Sequence, residues 1–326
     1  MSDLPSYDDV TDAATRLHGI ARRTPFLESP LLNESLGCRL FVKAEPLQVT
    51  GAFKIRGAYN YISRLGGEAK RTGIVTYSSG NHAQGVALAA KLCAVPATVV
   101  MPTDAPASKI ANTKAYGAEV VLYDRYAESR EEIALKIARN RGAPVLSSYD
   151  DFHIIAGQGT VGLETVEQAG EIGIALDAVL IPCGGGGLSS GCALAIKHDS
   201  PATDVFTVEP EAFDDTKRSL ETGTRQRIFE GARSICDALL PPMPGELTFA
   251  ILRDLGVKGL SVSDDEAIKA MAAAFRYFKI VVEPGGAVAL AAVLAGKIDC
   301  AGKTIAAVCS GGNVEASLFG DALKSS

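Results

Sequence analysis

The chain has no tryptophan, only 6% aromatic residues and only four histidines (His18, His82, His153, His198) in 326 residues. No two of these histidines stand at metal-ligand spacing and no HExxH occurs, which disfavours a catalytic zinc. Basic residues are outnumbered, 32 Lys and Arg against 38 Asp and Glu, so the net charge is −6. An acidic chain is a poor match for nucleic acid or an anionic membrane surface, and neither is expected as a partner. No apolar run approaches the ~18 residues that read as a membrane span. The start, MSDLPSYDDV, lacks the basic and then apolar character of a secretory signal. The seven cysteines (Cys38, Cys93, Cys183, Cys192, Cys236, Cys300, Cys309) are odd in number and include no CxxC pair. That pattern fits reduced thiols in a cytoplasm, where the sequon at Asn33-Glu34-Ser35 goes unused. Two nucleotide motifs also fail. A G-x-G-x-x-G beginning at Gly184 ends on Ser189, and Gly302-Lys303-Thr304 has its upstream glycine, Gly296, one residue too far away.

What is present is a large apolar fraction, 47%, on a length that suits two domains. Short apolar runs alternate with helices. Gly73–Tyr77, Ala94–Met101 and Glu119–Tyr123 read as strands, and Asn81–Leu92, Ala105–Tyr116 and Ala127–Arg141 as helices, with Val145–Ser147 closing the unit. A second series follows. Its strands are Ala178–Pro182, Val205–Val208 and Thr304–Cys309, and its helices are Gly159–Gly170, Leu188–Lys197, Asp264–Phe278 and Gly286–Ala295. Near the start, Tyr7–Ala21 reads as a helix and Arg39–Glu45 as a strand. This alternation indicates parallel α/β sheets. The expected division is a large domain over 1–70 and 151–326 and a small, mobile one over 71–150, because the chain must return to complete a sheet.

Four segments carry chemistry. In Gly51-Ala52-Phe53-Lys54-Ile55-Arg56-Gly57, a lysine stands among apolar neighbours. Desolvation lowers a lysine pKa and is the usual route to a Schiff base, although a lysine on its stem is more often simply solvated. Ser78-Ser79-Gly80-Asn81-His82 lies on a strand-to-helix turn, which either binds a carboxylate or merely caps the helix. Gly184-Gly185-Gly186-Gly187-Leu188 follows a strand and opens a helix. Four consecutive glycines are entropically costly and are explained if the backbone wraps a phosphate. Ser310-Gly311-Gly312-Asn313 ends the last strand, where ligands of open α/β sheets bind. A lysine, a phosphate cradle and an anion-binding turn together indicate pyridoxal 5'-phosphate.

In the order GAFKIRGA, SSGNHAQG, GGGGL, SGGN, these motifs resemble the serine/threonine dehydratase and serine racemase family of fold-type II pyridoxal-phosphate enzymes, including 3-hydroxyaspartate dehydratases. The resemblance runs over nearly the whole chain. It implies an α/β fold of two doubly wound open-sheet domains, like tryptophan synthase β. By the same resemblance Lys54 is the Schiff-base lysine, Phe53 packs on the cofactor ring and Asn81 meets its hydroxyl. Gly184, Gly185, Gly186 and Gly187 with Leu188 hold the phosphate, and Ser310 meets the pyridine nitrogen. Ser78, Ser79, Gly80, Asn81 and His82 hold the substrate carboxylate, Arg130 helps order that site, and Ser79 is a second acid/base in racemases. Glu209, the carbonyl of Phe213 and Asp215 match a Mg²⁺ or Ca²⁺ site. The implied activity is dehydration of a small β-hydroxy amino acid, with racemisation as the alternative and a silent binding protein a distant third. A homodimer is implied as well. The chain ends soon after SGGN, so an isoleucine-sensing regulatory domain is not expected.

Overall fold

The computed structural model describes residues 4–324, so 1–3 and 325–326, the ends of the expected large domain, lie outside the described residues. Among the described residues nine strands run in chain order. They are β1 (Phe26–Glu28), β2 (Arg39–Ala44), β3 (Ile74–Tyr77), β4 (Ala97–Pro102), β5 (Glu119–Tyr123), β6 (Ala178–Pro182), β7 (Asp204–Pro210), β8 (Lys258–Val262) and β9 (Thr304–Cys309). Strands β3, β4 and β5 form one parallel sheet in sequential order. The other six form a second sheet, ordered β1-β2-β9-β6-β7-β8 and parallel except for its antiparallel β1 edge. Early strand β2 thus pairs with late strand β9.

Burial on both faces explains why the central strands are uniformly apolar. All five residues of β6 are buried, as are the last five of β9. The helix Pro284–Leu294 has no charged residue, starts on a proline and is buried from Pro284 to Val293. It packs on β9, β6 and β7 within the largest apolar cluster. A separate cluster lies around the three-stranded sheet, and Ile55, Ala58 and Ile62 of the helix Ile55–Ile62 belong to it.

Several expected elements shift at their ends, such as the first helix, which stops at Leu17, and three differ more. The helix expected over Gly159–Gly170 runs from Phe152 to Glu171, because Asp151 caps it by accepting from the amides of His153 and Ile154. Its glycines are contact points. A Cβ on Gly157 would lie 2.6 Å from Gly57 Cα, and one on Gly162 2.6 Å from Cys192 Cα. The helix beginning at Asp264 has the Ser263/Glu266 capping box but ends as α-helix at Ala273. It continues as a π turn over Ala274–Phe278, which closes at Lys279 (φ 59°). Val145 makes a single bridge to Val75, and no strand forms there.

Candidate active site

The carboxyl ends of β3, β6 and β9 all lead into one cavity of about 930 Å³. Phe53, Lys54, Ser78, Ser79, Gly80, Asn81, His82, Arg130, Gly184, Gly185, Gly186, Gly187, Leu188 and Ser310 all line it. Residues from five distant stretches of chain are therefore brought to one place.

Two of these stretches are joined by their backbones. Phe53 N–H donates to Ser310 O (3.2 Å), and Gly312 N–H donates to Gly51 O (2.8 Å). Gly51 has φ 72°, and a Cβ there would meet Asn313 Oδ1 at 2.6 Å. Lys54 follows as the residue before the helix Ile55–Ile62. Its Nζ donates to the carbonyl of Ser148 (2.9 Å) and lies 5.0 Å from the centroid of the Phe53 ring. Burial lowers the amine to about 8, with the negative charge of Glu283 pulling the other way. The helix Asn81–Leu92 approaches closely, since a Cβ on Gly85 would sit 2.9 Å from the Lys54 carbonyl carbon.

Two of the helices that open on the cavity start without a side-chain cap. The helix Asn81–Leu92 follows Gly80, and the helix Gly187–Asp199 follows Gly186, which is left-handed at φ 94°. The first amides of a helix have no intrahelical acceptor, so each start presents open N–H groups with a positive dipole end. The Ser78 hydroxyl, which the capping alternative would need, accepts from Gly80 N–H (3.2 Å). Asn81 is buried. Its Nδ2 donates to Glu283 Oε1, and its Oδ1 accepts from Asn313 Nδ2 (2.9 Å). His82 Nε2 meets Thr76 Oγ1 at 3.1 Å, and burial followed by the charge of Lys54 holds its pKa well below the usual 6.5. The ring is therefore neutral. Arg130 Nε donates to Glu131 Oε1 (2.8 Å), and its guanidinium lies over the Tyr77 ring.

The glycine loop has no room for side chains. A Cβ on Gly185 would run into the Tyr149 ring, and one on Gly187 would sit 2.9 Å from the Tyr149 backbone. Close packing thus requires the glycines, and it is the first amides of the helix, those of Gly187 and Leu188, that fit a phosphate. Ser310 is buried, 5% exposed, and lines the cavity at the end of β9.

Glu209 and Asp215 lie apart from the cavity lining. Glu209 is fully buried and accepts from the amides of Thr216 (3.0 Å) and Lys217 (2.8 Å). Asp215 is 2% exposed, and its Oδ2 is buried without a partner. Burial raises both carboxyls, Asp215 to about 7. Among the described residues no group of three His, Cys, Asp or Glu side chains could hold a metal ion. Two buried carboxylates, one with an orphaned oxygen, still fit a hard cation that takes its other ligands from carbonyls and water.

Several cavity residues were not evident from sequence. Glu283 is 1% exposed and, chiefly through burial, is raised to about 7. Lys109 Nζ reaches Glu283 Oε2 (3.5 Å) and Asp237 Oδ2 (3.0 Å). A carboxylate between Val281-Val282 and Pro284 was a signal for Glu283, whereas Ser148 acts through its carbonyl and no sequence signal marks it.

Comparison with known proteins places the chain in a family. The family model described as pyridoxal-phosphate dependent enzyme matches residues 18–311. The chain is 44% identical to an L-threo-3-hydroxyaspartate ammonia-lyase of Saccharomyces cerevisiae, over 96% of this chain and 94% of that one. It is 42% identical to a serine racemase of Schizosaccharomyces pombe, over 97% of each. Among solved structures, a maize serine racemase superposes with a TM-score of 0.91 at 37% identity, covering 99% of this chain and 98% of that one. The chain belongs to the family of pyridoxal-phosphate dependent enzymes.

Proposed function

We propose that this chain is an ammonia-lyase that converts a small β-hydroxy amino acid (L-serine, L-threonine or 3-hydroxyaspartate) to a 2-oxo acid and ammonia. The observation that carries this reading is the pairing of one lysine amine, lowered to about 8, with two uncapped helix starts on the same cavity. Bound pyridoxal phosphate supplies an aldehyde for an amine and an electron sink for a carbanion at Cα.

In this reading Lys54 would hold the cofactor aldehyde. Its amine, when free, would take the Cα proton, and a pKa of about 8 keeps a useful share of it neutral near physiological pH. Gly184–Gly187 and Leu188 would hold the phosphate, Phe53 would cover the ring, and Asn81 would meet the ring hydroxyl. Ser310 would offer the pyridine nitrogen a neutral hydroxyl. Such a partner would stabilise no full positive charge, which would favour loss of a β-substituent over transamination. The turn Ser78–His82 takes the α-carboxylate on its open amides. Arg130 stands at the cavity as the cation for a second carboxylate. Glu209, the Phe213 carbonyl and Asp215 would hold Mg²⁺ or Ca²⁺. The unit over 71–150 moves as the small domain against 1–70 and 151–326, and the protein works as a cytoplasmic homodimer.

The test is oxo-acid release from L-serine, L-threonine and the four 3-hydroxyaspartate stereoisomers, with Mg²⁺ and with EDTA. Strong preference for one hydroxyaspartate isomer assigns a dedicated dehydratase with a cationic β-carboxylate contact. Preference for serine or threonine assigns a generic small pocket. Failure of all six sinks the proposal, and indifference to EDTA sinks the metal. The second reading, an amino-acid racemase with dehydratase side activity, is favoured by Ser79, whose hydroxyl-bearing residue lines the same cavity as Lys54.

A further inference from the structure

The helix Glu246–Asp254 follows Gly245, which has no side chain to cap it. Its cap comes from Asp150, 96 residues from Glu246 in the chain. Asp150 Oδ2 accepts from Glu246 N–H (2.8 Å), and Oδ1 accepts from the amides of Leu247 (2.9 Å) and Thr248 (3.3 Å). Gly245 is a glycine because this carboxylate occupies the cap position: a Cβ there would collide with Asp150 Oδ1. A carboxylate on three open amides at a positive helix end is a strong, charge-assisted arrangement.

The capped turn bears on the glycine loop. Thr248 Oγ1 donates to Gly185 O (2.8 Å), and Gly245 N–H donates to the same carbonyl (3.2 Å). Two donors thus fix the Gly185 carbonyl, and both come from the turn that Asp150 holds. On the other side of Asp150, Tyr149 packs its ring on Gly185 and its backbone on Gly187. One residue further back, the Ser148 carbonyl receives Lys54 Nζ. The stretch Ser148–Asp150 therefore touches the lysine, the glycine loop and the helix that braces the loop.

We infer that Asp150 is a positioning residue for the cofactor phosphate, holding the Gly185 carbonyl in place through the Gly245–Thr248 turn. This rests on the reading of Gly184–Gly187 as the phosphate cradle. If the Gly185 carbonyl loosens, the following amides lose their aim, and phosphate affinity falls while the lysine end is spared.

The test measures apoprotein affinity for pyridoxal 5'-phosphate and for pyridoxal, which lacks the phosphate. Asp150→Ala should weaken pyridoxal phosphate about 10–100-fold, as loss of a group that orients direct ligands does, and leave pyridoxal within about threefold. Asp150→Asn, which keeps one acceptor, should recover most of the loss. Thr248→Val should reproduce part of it, and provides the test if Asp150→Ala does not fold. The double variant should be no worse than Asp150→Ala alone, because both act through one carbonyl. Equal losses for both ligands, additive losses in the double variant, or a lowered melting temperature with unchanged affinities would each overturn the inference. A wild-type protein that binds both ligands equally would overturn the phosphate cradle itself, and that result is distinguishable from the others.

Discussion

If Lys54 is as desolvated as its surroundings indicate, its reactivity has a pH signature. Burial brings its amine to about 8, from an ordinary value near ~10.4. At pH 7 about one molecule in ten then carries a neutral Lys54, against about one in 2,500 for an ordinary lysine. Only the neutral amine attacks an electrophile. Pulse acylation of the apoprotein with acetic anhydride, read peptide by peptide by mass spectrometry, reports that fraction. Labelling of Lys54 should rise about tenfold per pH unit up to about 8 and then level off, while that of Nα-acetyl-lysine continues to climb past pH 10. Glu283 gives a second handle. It is fully buried, and its negative charge raises the Lys54 pKa. It titrates at about 7 itself, so at pH 8 it is mostly charged. Glu283→Gln removes the charge without much change of shape and should move the Lys54 midpoint to lower pH. Labelling of wild-type Lys54 that still rises tenfold between pH 8.5 and 9.5 would refute the desolvation argument. A midpoint that stays put or rises in Glu283→Gln would refute the coupling.

Arg56 is 1% exposed and pairs with Glu45 (2.8 Å) and Glu164 (2.6 Å), so Arg56→Met strands buried carboxylates and should cost about 3–5 kcal/mol in chemical denaturation. Burial alone would raise Glu45, but Arg56 outweighs it and holds the carboxyl low. The pair's stabilisation is thus present above the unfolded carboxylate value near ~4.3 and is lost as pH falls through the lower folded value. The deficit of the variant should narrow in acid, and a pH-independent deficit would mean lost packing instead. Ser79→Ala should abolish racemisation while sparing dehydration of the L-isomer, and chiral chromatography with an oxo-acid assay separates the two. Arg130→Gln should raise KM for 3-hydroxyaspartate about tenfold or more while leaving serine nearly unchanged, as loss of one charge-assisted contact predicts.

Much of the fold was legible because the sheets are parallel and buried on both faces. Such strands are unbroken apolar runs, and β5, β6 and β9 have the bounds that those runs suggested. The misses have physical causes. β1 is three residues long, too short to show a period, and β8 is an edge strand that includes Lys258, Gly259 and Ser261. Gly259 packs against Lys217, where a Cβ would come to 2.5 Å from its Cα, so a residue that looks like a breaker is a contact. Glycines concealed the first turns of the helix Phe152–Glu171 for the same reason. In the site, motif residues could be named because each motif is local in sequence. Asp150, Ser148 and Thr248 act across the fold through caps and carbonyls, and only tertiary structure brings their partners together.

The placement of charge in the cavity bears on which substrates it can take. Near the lysine the charged groups form a buried pair, Glu283 with Lys109, while His82 is neutral, Ser310 carries a hydroxyl, and two helix starts offer amides. The amides suit one carboxylate and one phosphate. Three arginines of the same lining are already engaged, Arg125 with Asp104 (2.8 Å), Arg130 with Glu131 (2.8 Å) and Arg225 with Glu246 (2.8 Å). These pairs are partly exposed, and an exposed pair stabilises by about 0–1 kcal/mol. A substrate carboxylate can therefore take over such an arginine at little cost, exchanging one charged partner for another. A monocarboxylic substrate has no use for that exchange and leaves the pairs intact. Selectivity for a dicarboxylic substrate then comes from a pair that opens on binding, and added salt should weaken 3-hydroxyaspartate turnover more than serine turnover.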